Sequence, residues 1–249
     1  MDPCMKKVVV ANLKGGSGKT TVATTLAAWW AGKGYKTCLL DLDPQHAASA
    51  WLRRRSDKQP KIHTLSLPTQ RSGVTLSYAL RMPHDAERLV VDTPAGLAGG
   101  ALADTVRGAA AVLVPVLPGA MDSDAAARTV SDLLLIAKLG RHSGRLAVIA
   151  NRVRRGTIGA ERLQRFIDAL DIPLIATLHD LQAYGHAIRD GLGLHELPKR
   201  RLGGERMAWL PLFEWIETRE MEINAQTALG PRSLLMQIAG QPAALDPTA

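Results

Sequence analysis

Lys14-Gly15-Gly16-Ser17-Gly18-Lys19-Thr20-Thr21 lie between a short β-branched run, Lys6 to Asn12, and a stretch of small and apolar residues, Val22 to Ala31. Strand, glycine loop and helix in that order let successive backbone N–H groups curl around phosphates while a helix N-terminus adds partial positive charge. Gly15, Gly16, Ser17 and Gly18 are the expected cradle, and Lys19 the cation for the terminal phosphate oxygens. Thr20 is then the hydroxyl ligand of Mg²⁺, and Thr21 is free to donate to a more internal phosphate. Lys14 is surplus to one such site, so it is expected to act somewhere other than on its own phosphates. Leu13 occupies the first glycine position of the strict G-x-x-x-x-G-K-[ST] pattern, so the loop departs from that pattern at its start.

Apolar runs recur at Val8 to Val10, Thr37 to Leu40, Leu89 to Val91, Ala111 to Val116, Leu146 to Ala150 and Leu174 to Ala176. Nearly all are continuous instead of alternating, the pattern of strands buried on both faces. Helical stretches fall between them, over about 19–32, 44–55, 122–139, 159–170, 180–191 and 205–218, the last interrupted by Pro211. Residues 56–81 read less clearly, as one short strand and one helix. The alternation implies an α/β fold with a doubly wound, mostly parallel sheet flanked by helices, and ligand sites at the carboxyl ends of the strands. One phosphate-loop domain is expected over residues 1–218, with 219–249 a partly disordered tail.

Nothing in the sequence resembles a signal peptide, and the apolar stretch around Ala109 to Leu117 is too short to span a bilayer, so a soluble, intracellular protein is expected. Cys4 and Cys38 have neither metal-site spacing nor reason to pair. The net charge of +8 points toward a polyanionic partner. From Arg141 to Arg206 there are 12 Lys or Arg against 7 Asp or Glu, an excess of 5. Arg152, Arg154, Arg155, Lys199, Arg200 and Arg201 are the clustered cations and hence the candidate contacts to nucleic-acid phosphates. The tryptophans read as packing residues, and the histidines lack ligand spacing.

Three further pieces fall at strand ends. In Asp41-Leu42-Asp43-Pro44-Gln45 the two carboxylates sit at alternate positions of an extended segment, so both can address Mg²⁺ and its water shell. Asp43 is the better candidate for positioning attacking water, and a helix N-cap or turn role before proline is the alternative. In Leu89-Val90-Val91-Asp92-Thr93-Pro94-Ala95-Gly96 an apolar strand ends in a carboxylate suited to Mg²⁺, and Gly96 offers a flexible point for a loop that senses the γ-phosphate. Asn151-Arg152 follows a later strand without the aspartate a guanine site would show, which favours adenine, whose edge an asparagine amide can address.

KGGSGKTT, DLDPQ, VVDTPAG, the pair Pro115 and Pro118 followed by Asp122, and the Asn151-Arg152 pair together resemble the ParA/MinD family of deviant Walker ATPases, over about Lys6 to Glu217. Within it the chain looks most like small partition ATPases that lack an N-terminal DNA-binding extension. The resemblance implies a slow Mg²⁺-dependent ATPase in which two subunits sandwich two ATP molecules and Lys14 reaches into the opposite site. It also implies that the ATP-bound homodimer binds DNA without sequence preference, so that the cytoplasmic protein associates with the nucleoid, and that a partner protein triggers hydrolysis and release. By the same resemblance Asp43 matches the hydrolysis aspartate, Thr20 and Asp92 the Mg²⁺ site, Asn151 an adenine contact, and Pro118 and Asp122 a segment beside nucleotide and interface.

A MinD-like switch at the membrane surface is the rival reading, but Pro231 to Ala239 carries Arg232 as its only basic residue, weak for anionic lipid. A metal-carrier relative would need paired cysteines. A tyrosine-kinase relative would need tyrosines in the tail, whereas Tyr35, Tyr78 and Tyr184 lie inside the domain.

Overall fold

The computed structural model describes residues 5–65, 83–141 and 143–228. Seven strands form one parallel sheet: β1 (Lys6–Val10), β2 (Thr37–Asp41), β3 (Ile62–Leu65), β4 (Arg88–Asp92), β5 (Ala111–Val116), β6 (Leu146–Val153) and β7 (Leu174–His179). Their order is β3-β2-β4-β1-β5-β6-β7, so the chain winds outward on one side of β1 and then crosses to the other. That reversal beside β1 is where an open α/β sheet leaves a crevice for ligands.

Helices cover both faces because successive strand residues point to opposite sides. Val8, Val10, Leu39 and Leu113 pack under α1 (Lys19–Gly32), α2 (Ala47–Arg53) and, further along the chain, α6 (Gln182–Arg189) and α8 (Glu205–Ala228). Val9, Cys38, Leu40 and Val114 pack under α3 (Gly99–Val106), α4 (Ala120–Leu135) and α5 (Ile158–Leu170). Trp30, Trp51 and Trp209 are at most 2% exposed, so they pack as expected. Trp29 stacks on Phe213 with ring centroids 4.0 Å apart and planes 1° from parallel, fastening α8 to α1. Such a pair contributes roughly 0.5–1.5 kcal/mol beyond its buried area. Buried Cys38 is pushed up to about 11 by its apolar setting, so its thiol is unreactive.

Pro115 sits in central β5, where a proline usually costs a ladder hydrogen bond. Pairing with β1 ends at Leu113, and the Pro115 carbonyl accepts instead from the Asn12 side chain at 2.7 Å. Residues 113 and 115 face the β1 side, so the missing N–H lies where β1 has already turned away. Pro211 does not interrupt the last helix, contrary to expectation. It loses the bond to the Met207 carbonyl, but both residues lie on the exposed side, and α8 continues past residue 218 to Ala228.

α3 was not expected. It is eight residues long, opens on Gly99-Gly100, and gains its start from Asp132, whose carboxylate accepts the Gly99 N–H at 2.7 Å. The short strand expected in 56–81 is β3. The helix expected beside it, along with Cys4, Tyr78 and the tail beyond Ala228, lies outside the described residues. The turn after α6 carries the remaining small elements, a 3-10 turn (Leu194–Glu196) and α7 (Lys199–Leu202).

α2 is locked to that turn. Arg55 forks onto Glu196 at 2.6 and 2.7 Å with both side chains at most 9% exposed, and the Trp51 indole donates to the Leu192 carbonyl at 3.1 Å. Gly191, at φ +67°, lets the two backbones touch: a Cβ there would stand 2.5 Å from the Arg54 carbonyl carbon and the Arg55 nitrogen. Gly34 has φ +90° but open space around it. Gly34→Ala is therefore expected to cost about 1 kcal/mol and Gly191→Ala at least about 2–3 kcal/mol, measured by urea denaturation; equal costs would show that the backbone contact is not tight.

Candidate functional site

The loop after β1 is built as a cradle. Gly16 and Gly18 adopt φ of +77° and +97°, conformations that turn their N–H groups inward at no steric cost. Asn12 splints the entry, accepting the Lys14 N–H at 2.9 Å. Thr129 on α4 accepts the Leu13 N–H at 3.0 Å, and the Leu13 carbonyl accepts the Gly96 N–H at 2.8 Å. The Lys19 ammonium folds back onto the Lys14 carbonyl at 3.0 Å. Burial lowers its pKa, with the Asp92 and Asp43 carboxylates opposing that shift.

Asp92 ends β4 with no solvent exposure, and neither carboxylate oxygen has a hydrogen-bond partner among the described residues. Burial pushes it up to about 7; the Thr20 hydroxyl beside it and Lys19 oppose this, while Asp41 and Asp43 add to it. That hydroxyl lies next to the carboxyl but outside hydrogen-bonding geometry. The buried Ser17 hydroxyl is likewise without a partner. Orphaned oxygens beside a glycine cradle and a lysine fit a Mg²⁺–nucleotide, because a metal–phosphate pair supplies the missing charge and donors.

Asp41 and Asp43 divide their tasks. Asp41 pairs in register with Asp92, but both its oxygens are in use, accepting the Asp43 N–H at 3.1 Å and the Ser49 N–H at 2.7 Å. It thus caps α2 and sets the Asp43 loop, with one acceptor site left on each oxygen toward the place where Mg²⁺ and its water shell are expected. Asp43 accepts the Gln45 N–H on one oxygen at 2.9 Å and is half-buried, its other oxygen without a hydrogen bond among the described residues.

Asn151 is 4% exposed, and its amide donates to the Ser17 carbonyl at 2.8 Å while its oxygen accepts the Arg152 N–H at 3.0 Å. It closes the cradle from behind: a Cβ on Gly18 would stand 2.0 Å from its nitrogen. The amide expected to address adenine is thus engaged with the loop. Beside it opens a cavity of about 300 Å³ lined by Gly18, Thr21, Asn151, Asp180 and Tyr184.

Lys14 does not point at its own cradle. Its ammonium lies 3.6 Å from Asp122 in the first turn of α4, with a third of the side chain exposed. Asp122 folds against Gly119, one residue beyond the half-exposed Pro118.

The clustered cations differ in what they pair with, although Arg155 and Arg201 line one cavity. Arg152 and Arg154 both pair with Asp180, at 3.4 and 2.7 Å, and Arg155 donates to the His179 ring at 3.0 Å. Lys199, Arg200 and Arg201 are exposed on α7. One group escaped sequence reasoning altogether: Glu205, 2% exposed, accepts from the His179 backbone and ring at 2.7 Å and from Tyr184 at 2.5 Å. The Trp209 indole donates to the Tyr184 hydroxyl at 3.0 Å. This fixes α8 against the cavity wall, and burial raises the Tyr184 hydroxyl well above its usual range. A buried carboxylate at the first position of a helix carries no distinguishing sequence signal, because such glutamates are common at exposed helix starts.

A family model described as the CobQ/CobB/MinD/ParA nucleotide binding domain matches residues 8–194. The chain belongs to this family. Its ParA and MinD members are ATPases. A Halothiobacillus neapolitanus "Maintenance of carboxysome distribution protein A" is 28% identical over 78% of this chain and 88% of its own length. A Gloeobacter kilaueensis protein of the same name is 32% identical over 75% and 82%. Among solved structures, an ATP complex of a Cyanothece McdA aligns with a TM-score of 0.63 and 18% identity, over 87% of this chain and 96% of that one. This last likeness speaks for the fold. No helix among the described residues is long and apolar enough to cross a membrane.

The raised Asp92 carboxyl gives a signed pH dependence for this ParA/MinD-family chain. Between 3.8 and about 7 the folded protein keeps a proton that the unfolded chain releases. Stability from this group is therefore lost as pH rises through that window, by about 1.4 kcal/mol per pH unit. Asp92→Asn without nucleotide should be more stable than the parent by up to about 4 kcal/mol at pH 8, with the gap closing near pH 4. Urea denaturation at both pH values checks this, and a gap independent of pH would contradict it.

Proposed function

We propose that the chain is a ParA-type switch: an ATPase that dimerises on ATP, binds duplex DNA without sequence preference and positions a cargo with a partner protein that stimulates hydrolysis. The observation that carries this reading is Lys14, a lysine at the mouth of a complete phosphate loop, turned away from that loop onto Asp122 and partly exposed. A cation so placed is available to phosphates that approach from outside the subunit. Met121, beside Asp122, is 73% exposed, and Ile158, whose neighbour Gly159 packs on Pro118, is 67% exposed. Apolar side chains on that edge favour burial against a second subunit.

Chemically, Lys19 and the loop N–H groups neutralise and orient the phosphates, and Asp43 is held by Asp41 to align water for attack. Thr20 and Asp92 are the residues that would hold Mg²⁺, which when bound neutralises charge on the phosphate oxygens. The adenine base is assigned to the cavity beside Asn151, reached once the amide's second N–H and lone pair are used. Pairing two subunits doubles the cations offered to DNA, so ATP controls residence on it. Lys199, Arg200 and Arg201 are the foremost phosphate contacts. Arg152, Arg154 and Arg155 contribute to the extent that they leave Asp180 and His179. The relatives named for carboxysome distribution support a cargo that is a large body, and in this reading a cytoplasmic protein moves it over the nucleoid.

Lys14→Ala is expected to lose ATP-dependent dimerisation and DNA co-sedimentation while keeping monomer nucleotide binding within about three-fold, because the lysine serves the opposite site. Dimers of this variant forming normally with ATP would sink the sandwich assignment. Asp43→Ala should slow ATP turnover at least about ten-fold and leave the protein persistently on DNA; undiminished turnover would remove Asp43 from its role.

A further inference from the structure

The exposed cations of this chain fall into two kinds. Lys36 pairs with Asp85, Arg107 with Asp104, Arg189 with Asp190, and Arg152 and Arg154 with Asp180. A second group makes no ion pair with a carboxylate among the described residues. It includes Arg128, Lys138, Arg162, Arg165 and Arg206, which are scattered, and two clusters: the α7 trio and, far away in sequence, Arg53, Arg54, Lys58 and Lys61, all exposed, at the end of α2 and in the loop beyond it. Within residues 53–61 Asp57 is the single acidic residue.

The fold makes these two unpaired sets neighbours. The backbone of Arg54 and Arg55 lies against Gly191, and Arg55 crosses to Glu196 in a buried two-pronged bridge. Glu196, the far end of that bridge, lies three residues before Lys199, and Asp190, adjacent to Gly191, is held below its usual range by Arg189 first, with His186 and Arg201 contributing, so Arg201 is within electrostatic reach of it. The steps Arg54 to Gly191, Gly191 to Asp190 and Asp190 to Arg201 join the end of α2 to α7. Leaving several surface cations unpaired and adjacent raises self-repulsion, which a bound polyanion relieves.

We infer that Arg53, Arg54, Lys58 and Lys61 form the second half of the DNA-phosphate surface, continuous with Lys199, Arg200 and Arg201. This inference rests on the DNA-binding reading above. Its consequence is mechanical. α2 begins at the loop that carries Asp43, capped by Asp41, and ends in the cations that meet phosphate, so one seven-residue helix joins the hydrolytic aspartate to the DNA surface. Neither the loop lysines nor the aspartates contact duplex in this arrangement.

The test is fluorescence-anisotropy binding of a random-sequence duplex by full-length protein with Mg²⁺–ATP, across a salt series. Four chains are compared: the parent, Arg53→Glu/Arg54→Glu, the milder Arg53→Gln/Arg54→Gln, and Arg200→Glu/Arg201→Glu. Both changes at 53 and 54 should flatten the slope of log K against log salt by about two and weaken binding about ten-fold or more, the glutamates more than the glutamines. Nucleotide affinity and the ATP-dependent dimer mass should stay those of the parent, which excludes misfolding as the cause. If the parent binds DNA and Arg200→Glu/Arg201→Glu loses it, but the changes at 53 and 54 leave affinity and slope unaltered, the α2 surface is wrong while the DNA reading stands. A parent chain that does not bind duplex with ATP, or that binds anionic vesicles instead, overturns both.

Discussion

A buried carboxylate without a hydrogen-bond partner among the described residues is the constraint around which this molecule is arranged. Asp92 lies at the end of a central strand with no solvent contact, in register with Val10 on one side and Asp41 on the other. Its charged form is costly enough to raise it to about 7. A folded chain tolerates such a group where a bound cation repays it. The surroundings meet that demand: a glycine cradle on β1, Lys19 folded inward, the Thr20 hydroxyl alongside, and an unpartnered Ser17 hydroxyl. The sheet order brings these together, because β1 and β4 are neighbours and both loops open at the same carboxyl edge.

The parts nearest this site are tied to one another more than to solvent. The Leu13 carbonyl holds the Gly96 N–H, Asn151 holds the Ser17 carbonyl, and Asp41 holds the backbone of both Asp43 and α2. A nucleotide entering the cradle therefore meets a frame in which the Asp92 loop, the Asp43 loop and α2 are linked by named bonds. α2 extends that frame through Arg55 to Glu196, and Glu205 extends the cavity wall to α8 through Tyr184 and His179. The exposed cations at the end of α2 are thus linked through α2 and Asp41 to the loop that carries Asp43.

The sequence made the sheet legible because its strands are continuous apolar runs, and all six expected runs became strands. The nucleotide cradle was legible because glycines, lysine and threonines in that order serve few other purposes. What stayed hidden depended on contacts across distant segments. α3 owes its start to Asp132 on another helix. The continuity of α8 through Pro211 depends on exposure of one face, and the backbone contacts of Asp41 to Ser49 and Asp43 could not be read from the sequence. Asn151 and Lys14 stood out in the sequence, but the loop carbonyl that engages Asn151 and the Asp122 that receives Lys14 follow from three-dimensional placement. Glu205 had no signal at all, since its burial follows from where β7 ends.

The central claim is that ATP, by way of a lysine that does not serve its own site, converts a single subunit into a pair. Sedimentation velocity of the unaltered chain measures this directly, with Mg²⁺–ATP, with Mg²⁺–ADP, and with ATP after Mg²⁺ has been chelated. A dimer with Mg²⁺–ATP and monomer in the other two conditions is the expected result. One mass in all three conditions, whether monomer or dimer, would contradict it.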